Sequence, residues 1–203
     1  VWESLVAGLG VGLSLIAAIG AQNLFVIRQG VRRNHFGLVI VICTLSDVLL
    51  IAAGIAGLAV IIQRASWFMV VARWGGGLFL IGYGVLAGRR ALQGSDEGLD
   101  ASASSPMLAS RAAVAATALA LTWLNPHVYL DTLLLLGSVA NTKQAPWLFG
   151  IGAGVASLTW FSALGFGARY LARSLSSARS WRIIDAMVAI VMIVFGIGLI
   201  VAR

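Results

Sequence analysis

The 203-residue chain predicts an all-α integral membrane protein, with six transmembrane helices in two inverted three-helix halves. Three observations carry that prediction. Hydrophobic residues make up 60% and charged residues 10%, with a mean hydropathy of +0.98, outside the balance of a soluble domain. Six apolar stretches reach the length of about 20 residues that crosses a bilayer. One polar, acidic segment divides them three and three, and two asparagine-centred motifs, one in each half, stand 102 residues apart.

The six stretches run over roughly 4–27, 37–62, 67–87, 112–137, 147–168 and 183–202. The first has no basic leader and exceeds a signal-peptide core, so it is expected to stay in the mature protein. Its discontinuity is expected near Gln22-Asn23, where Gly20 loosens the helix. The second contains Asp47, ten residues beyond the entry at Gly37 and so about 15 Å deep, close to the midplane. The third contains Arg73, expected to snorkel to the outer interface, with pairing to an acid as the alternative. The fourth contains Asn125-Pro126 and then Asp131; Pro126 removes a backbone donor and breaks the helix, leaving carbonyls near 121–124 in need of partners. The fifth and sixth read as ordinary spans. Glycine pairs Gly8/Gly12, Gly84/Gly88 and Gly150/Gly154 have the spacing that lets transmembrane helices approach closely. Trp2, Trp67, Trp147 and Trp181 stand near helix ends, where an amphipathic ring favours the interface.

The domain reading is therefore 1–93 for the first half, 94–110 for a flexible linker rich in Gly, Ser, Asp and Glu, and 111–203 for the second half, all within one membrane domain. Arg28, Arg32 and Arg33 fall in the first connection, Arg89, Arg90 and Arg111 in the third, and Arg169, Arg173, Arg179 and Arg182 in the fifth. Only Arg64, Arg73, Lys143 and Arg203 belong to the opposite side. The odd-numbered connections are accordingly expected to be cytoplasmic and both termini outside.

The net charge of +7 does not point to nucleic acid, because the basic residues fall in short runs between apolar segments. One cysteine, Cys43, excludes a disulfide framework within one chain. With only His35 and His127 beside it, no zinc site is recognisable, and neither a metal nor another cofactor is expected. Gly8-Leu9-Gly10-Val11-Gly12 lacks the third glycine and the preceding strand of a nucleotide fingerprint. Ser46-Asp47 and His127-Asp131 are the only pairs a membrane enzyme could use, and neither assembles a nucleophilic or metal constellation. Acids inside a bundle usually mark a pathway or proton relay. Asp47 and Asp131 are therefore the leading functional candidates, against a reading in which they only hold helices in register.

Taken in order, Gly20-Ala21-Gln22-Asn23-Leu24-Phe25-Val26-Ile27-Arg28-Gln29-Gly30, Ser46-Asp47, Arg73-Trp74-Gly75-Gly76, Leu121-Thr122-Trp123-Leu124-Asn125-Pro126-His127-Val128-Tyr129-Leu130-Asp131-Thr132, Ser157-Leu158-Thr159-Trp160-Phe161 and Trp181-Arg182-Ile183-Ile184 resemble the bacterial lysine/arginine exporter family (LysE/ArgO type). The resemblance covers essentially the whole chain. Asn125-Pro126-His127 looks closer to the arginine branch. Ala21 departs from the family, which usually has proline there. The resemblance implies an exporter of basic amino acids in the bacterial cytoplasmic membrane, driven by an ion gradient, with Asp47 and Asp131 as the acids that match family motifs.

Side-chain chemistry is consistent with that implication. Asp47 and Asp131 are expected to hold cationic groups, since a guanidinium suits a carboxylate fork. Gln22, Asn23 and Asn125, with backbone N–H groups freed at the breaks, are expected to take the substrate carboxylate, and Tyr129 to stack on a guanidinium. A desolvated acid can take a proton in place of substrate. Export of one positive charge against about 100 mV costs about 2.3 kcal/mol, and an incoming proton cancels it, so proton antiport is the expected mechanism. A related exporter of neutral amino acids, of the homoserine/threonine type, is the competing reading. The expected partners are substrate, protons and lipid, and a homo-oligomer is compatible with the sequence.

Overall fold

The computed structural model describes residues 2–18, 20–58, 66–93, 110–172 and 178–201, with the side chains of residues 66, 68 and 178 outside that description. The regular structure among them is helical: α1 Trp2–Ile16, α2 Ala21–Arg32, α3 Phe36–Ile55, α4 Ser66–Gln93 and α5 Arg111–Trp123. Next comes α6, made of Pro126–Val128, a wider π-helical stretch Tyr129–Leu136, and Gly137–Asn141. α7 spans Pro146–Leu171 and α8 Ala178–Val201. Most of the linker, with Arg64, Arg173 and Arg203, lies outside the described residues.

Local chemistry sets these boundaries. α1 stops at Ile16 and α2 restarts after Gly20, and the two axes meet at 84°. Asn23 closes the break by donating from its Nδ2 to the carbonyls of Ile16 and Ala18, at 3.3 and 2.8 Å, two acceptors the end of α1 leaves open. α2 ends with Arg33 in the left-handed region, where Arg33 N–H bonds Gly30 O and Asn34 N–H bonds Gln29 O. His35, also left-handed, then starts α3. α3 closes in the same way on Gly57, whose φ of +85° suits glycine. Ser110 Oγ caps α5, and Pro146 occupies the first turn of α7, where a missing N–H costs nothing.

Among the described residues, α3, α4, α7 and α8 are each long and apolar enough to cross a membrane, and α1 with α2 would make a fifth span as a bent pair. The fourth predicted stretch is not one continuous helix. α5 has 13 residues and stops at Trp123, because Pro126 has no N–H to continue the ladder. The third stretch is longer than predicted: α4 runs on to Gln93, so Arg89 and Arg90 stand on a helix, not in a connection.

Glycines bring the helices together. α1 runs along the first half of α7, with Gly8 against the Phe149 backbone and Gly12 against Ala153 and Ala156. α2 lies on the second half of the same helix, Gly30 meeting Gly165 and Ala168. α3 crosses α7 in the opposite sense, from Ile40 at Gly165 to Ile55 at Gly150. α5 and α6 in turn follow α3: Trp123 bonds Ser46, Gly54 abuts Leu133 and Gly137, and Asn141 reaches the Ile55 carbonyl. α4 and α8 form an antiparallel pair with Gly77, Gly84 and Gly196 at the contact. Where a glycine meets backbone, there is no room for a side chain, so the helices pack closer than larger residues allow. The outward faces keep large apolar side chains exposed, such as Leu45 on α3, Leu78 on α4, Leu158 on α7 and Ile190 on α8, as a lipid-facing surface requires.

Candidate functional site

Both helix breaks open onto one cavity of about 270 Å³. The end of α1 contributes Leu15, Ile16 and Ala18, and the start of α2 contributes Gly20, Ala21, Gln22 and Asn23. Asp47 reaches it from α3, and Asn125, His127, Val128, Asp131 and Thr132 from the second break and α6. Phe161 of α7 and Phe195 of α8 complete the wall. Six residues singled out in the sequence (Gly20, Gln22, Asn23, Asp47, Asn125 and Asp131) therefore meet around one space, although they come from both halves of the chain.

Asp47 is 3% exposed, and its Oδ2 accepts a 2.7 Å hydrogen bond from Ser157 Oγ on α7, a residue with no exposed surface. Its neighbour Ser46 accepts from Trp123 Nε1 at 3.1 Å, which pins the last turn of α5 to α3 beside the acid. Asp131 is half-buried on the π-helical stretch. Thr132, next to it, returns its hydroxyl to the Val128 carbonyl, taking up an acceptor within the distorted helix.

The amides divide their work. Asn125 Oδ1 caps the start of α6 by accepting from His127 N–H at 3.1 Å, and Asn23 Nδ2 caps α1 as described. Both asparagines hold broken backbone while facing the cavity. Gln22 Nε2 is buried and makes no hydrogen bond among the described residues. Tyr129, expected to stack on a substrate guanidinium, is instead 3% exposed and absent from the cavity wall. Its hydroxyl donates at 2.6 Å to the Trp123 carbonyl, an acceptor left open at the break because His127 N–H, four residues on, is taken by Asn125 Oδ1. Pro126 itself is buried at the first position of α6 and does not line the cavity.

A second polar cluster went unnoticed in the sequence. Arg28, expected in a connection, lies within α2 and is only 1% exposed. Its Nε and Nη2 contact Asp185 Oδ1 at 3.0 and 2.8 Å, and its Nη1 donates to Tyr83 Oη at 2.7 Å. Arg90 Nε stands 3.9 Å from the same carboxylate oxygen. α2 is a polar helix that continues past the end of the first apolar stretch, so the end of that stretch does not mark the start of a connection. Asp185 carried the same signal as Asp47, an acid inside an apolar stretch, but stood within two residues of a predicted boundary. Ser157 and Phe161 stood in a motif of the family resemblance but with no role attached, and Phe195 carried no signal beyond helical apolar spacing, in which an aromatic residue reads as packing.

Among the described residues, no group of three or more His, Cys, Asp or Glu is arranged to hold a metal ion. The family model for LysE type translocator matches residues 13–203. A protein named "Putative amino-acid transporter" from Mycobacterium bovis is 45% identical over 190 residues, covering 93% of this chain and 92% of the relative. The "Arginine exporter protein" of Salmonella schwarzengrund is 39% identical over 188 residues, covering 91% and 87%, and that of Salmonella enteritidis is 38% identical with the same coverage. No solved structure matches. With a helical, multi-pass membrane architecture and a polar cavity at two helix breaks, the chain is a transporter and not an enzyme, and it belongs to the LysE type translocator family.

Proposed function

We propose that this protein exports basic L-amino acids, arginine and/or lysine, across the bacterial cytoplasmic membrane in exchange for protons. The observation that carries the reading is the lining of the cavity: two carboxylates and three carboxamides, with no lysine or arginine among the described residues that form it. Such a site favours a cation, and a guanidinium or ammonium would be held by Asp47 and Asp131. The substrate carboxylate would be met by Gln22 Nε2 and by the amide of Asn125, while Asn23, whose Nδ2 is committed to the end of α1, would hold that break in place. The names of the arginine exporter relatives support the same substrate class. Exchange with an incoming proton removes the electrical cost of exporting a cation, about 2.3 kcal/mol at 100 mV.

The architecture we infer is six crossings, with α1–α2 and α5–α6 each acting as one broken span, in halves of residues 1–93 and 111–203. In favour of inverted halves, each broken span packs along the middle helix of the other half, and the two middle helices and the two last helices pair with each other. That is the pattern an exchange of halves requires. Arg32, Arg33, Arg111, Arg169 and Arg182 would then lie at one end of the bundle, which we assign to the cytoplasm, with both termini outside.

Counterflow of labelled arginine in proteoliposomes, with lysine and homoserine as competitors, tests the substrate. Saturable uptake blocked by lysine supports a basic amino-acid carrier. Uptake of homoserine without arginine would reassign the protein to the neutral branch. An inward proton gradient that fails to accelerate arginine export would overturn antiport.

A further inference from the structure

α2 is a short rod with a break at each end. It has 12 residues, its axis meets that of α1 at 84°, and it is followed by a turn in which Arg33 and His35 both adopt left-handed backbone, φ 55° and 50°. Its first turn lines the cavity with Gln22 and Asn23; Arg28, five residues after Asn23, is the point at which the rod is fastened. A single guanidinium there joins α2 to Asp185 on α8 and Tyr83 on α4. None of Arg28, Tyr83, Arg90 and Asp185 is among the residues that line the cavity. Its walls are the end of α1, the start of α6 and Phe195, ten residues beyond Asp185 on α8.

An apolar contact would hold α2 as firmly without the cost of burying ions. What an ion pair adds is a contact that can be exchanged. Asp185 Oδ1 already has a second cation waiting: Arg90 Nε at 3.9 Å, with Arg90 Nε and Nη2 buried and without a hydrogen bond among the described residues. Arg28 and Arg90 both lie over the Tyr83 ring, at 5.9 and 6.0 Å. If α2 swings and Arg28 leaves, Arg90 closes on Asp185, and the buried acid is never left unpaired.

We propose that Arg28, Asp185 and Arg90 form an exchangeable latch that sets the position of α2. Arg28–Asp185 shuts the end of the pathway that carries Arg32 and Arg33, and transfer of Asp185 to Arg90 accompanies its opening. The three are positioning residues for translocation, and none of them touches substrate. The proposal rests on the cavity being the substrate site, but not on which amino acid enters it.

Two measurements on the full chain test it. In a Cys43→Ser background, a cysteine is placed at Ala18 in the cavity wall. Its reaction with a membrane-impermeant maleimide is then timed from the face of Arg32 and Arg33. Asp185→Asn should raise that rate about tenfold by populating the open state; an unchanged rate in a monodisperse variant overturns the latch. Arg90→Gln should slow exchange of the transported amino acid about tenfold while its half-saturation stays within about twofold, because only release is impaired. Wild-type exchange in Arg90→Gln would reduce the cluster to a static pin. Should Arg90→Gln fail to fold, Arg90→Met, a neutral chain of similar length, is read by the same split. The maleimide rate is independent of substrate identity, so a failed arginine assay and a failed latch remain separate results.

Discussion

Ser157 Oγ on α7 lies 2.7 Å from Asp47 Oδ2 on α3, and both side chains are buried where those helices cross. One carboxylate oxygen is thereby committed to the protein while the residue also faces the cavity. Asp47→Asn keeps the shape and can still accept from Ser157 through its amide oxygen. Transport should fall by roughly two orders of magnitude, corresponding to about 3 kcal/mol of charge-assisted binding. Thermal stability in detergent should change little. Wild-type counterflow in both Asp47→Asn and Asp131→Asn would remove the acids from the mechanism.

Tyr129 separates a structural from a substrate role. Tyr129→Phe leaves the Trp123 carbonyl without its donor at the second break and should cost about 1–3 kcal/mol, seen as a lowered melting temperature. Half-saturation for substrate should be unchanged. A selective rise in half-saturation with unaltered melting would return Tyr129 to the substrate site.

Asn125 holds two duties that substitution can pull apart. Asn125→Ser keeps a side-chain oxygen to cap His127 N–H but removes the amide donors facing the cavity. Stability should hold within a few tenths of a kcal/mol while substrate affinity drops; Asn125→Ala should lose about 1 kcal/mol of stability as well. Equal transport by the serine and wild-type proteins would confine Asn125 to capping.

Two glycines on α1 should respond in opposite ways. At Gly8 a Cβ would drive into the Phe149 backbone, and Gly8→Ala should destabilise the α1–α7 contact by about 1–3 kcal/mol or more. At Gly10 nothing lies within 4 Å, and Gly10→Ala should be neutral or stabilise by up to about 1 kcal/mol through helix propensity. Melting curves of the two purified variants compare them directly.

Much of this was legible in the residues. Spanning length and an acid in an apolar run are local properties, so the long helices and Asp47 could be read directly. Gly20 and Pro126 act on their own backbone, so the breaks were legible too. The glycine pairs were read as contact surfaces, and Gly8, Gly12, Gly84, Gly150 and Gly154 each face a neighbouring helix closely. The partners of Arg28 and Tyr129, Asp185 and the Trp123 carbonyl, were not legible because they are not chosen by anything in those residues' own segments.

By itself, the sequence determined that this is a helical membrane transporter of the LysE type, broken at two asparagine-bearing motifs, with acids in its spans. Only the tertiary structure decided that both breaks and both acids border one cavity, that Ser157 is the partner of Asp47, and that Arg28 is locked to Asp185 across 157 residues of chain. The physical reason is that a break, a cap or a spanning length follows from neighbouring residues, whereas the partner of a buried charge depends on which helices the glycines allow to touch.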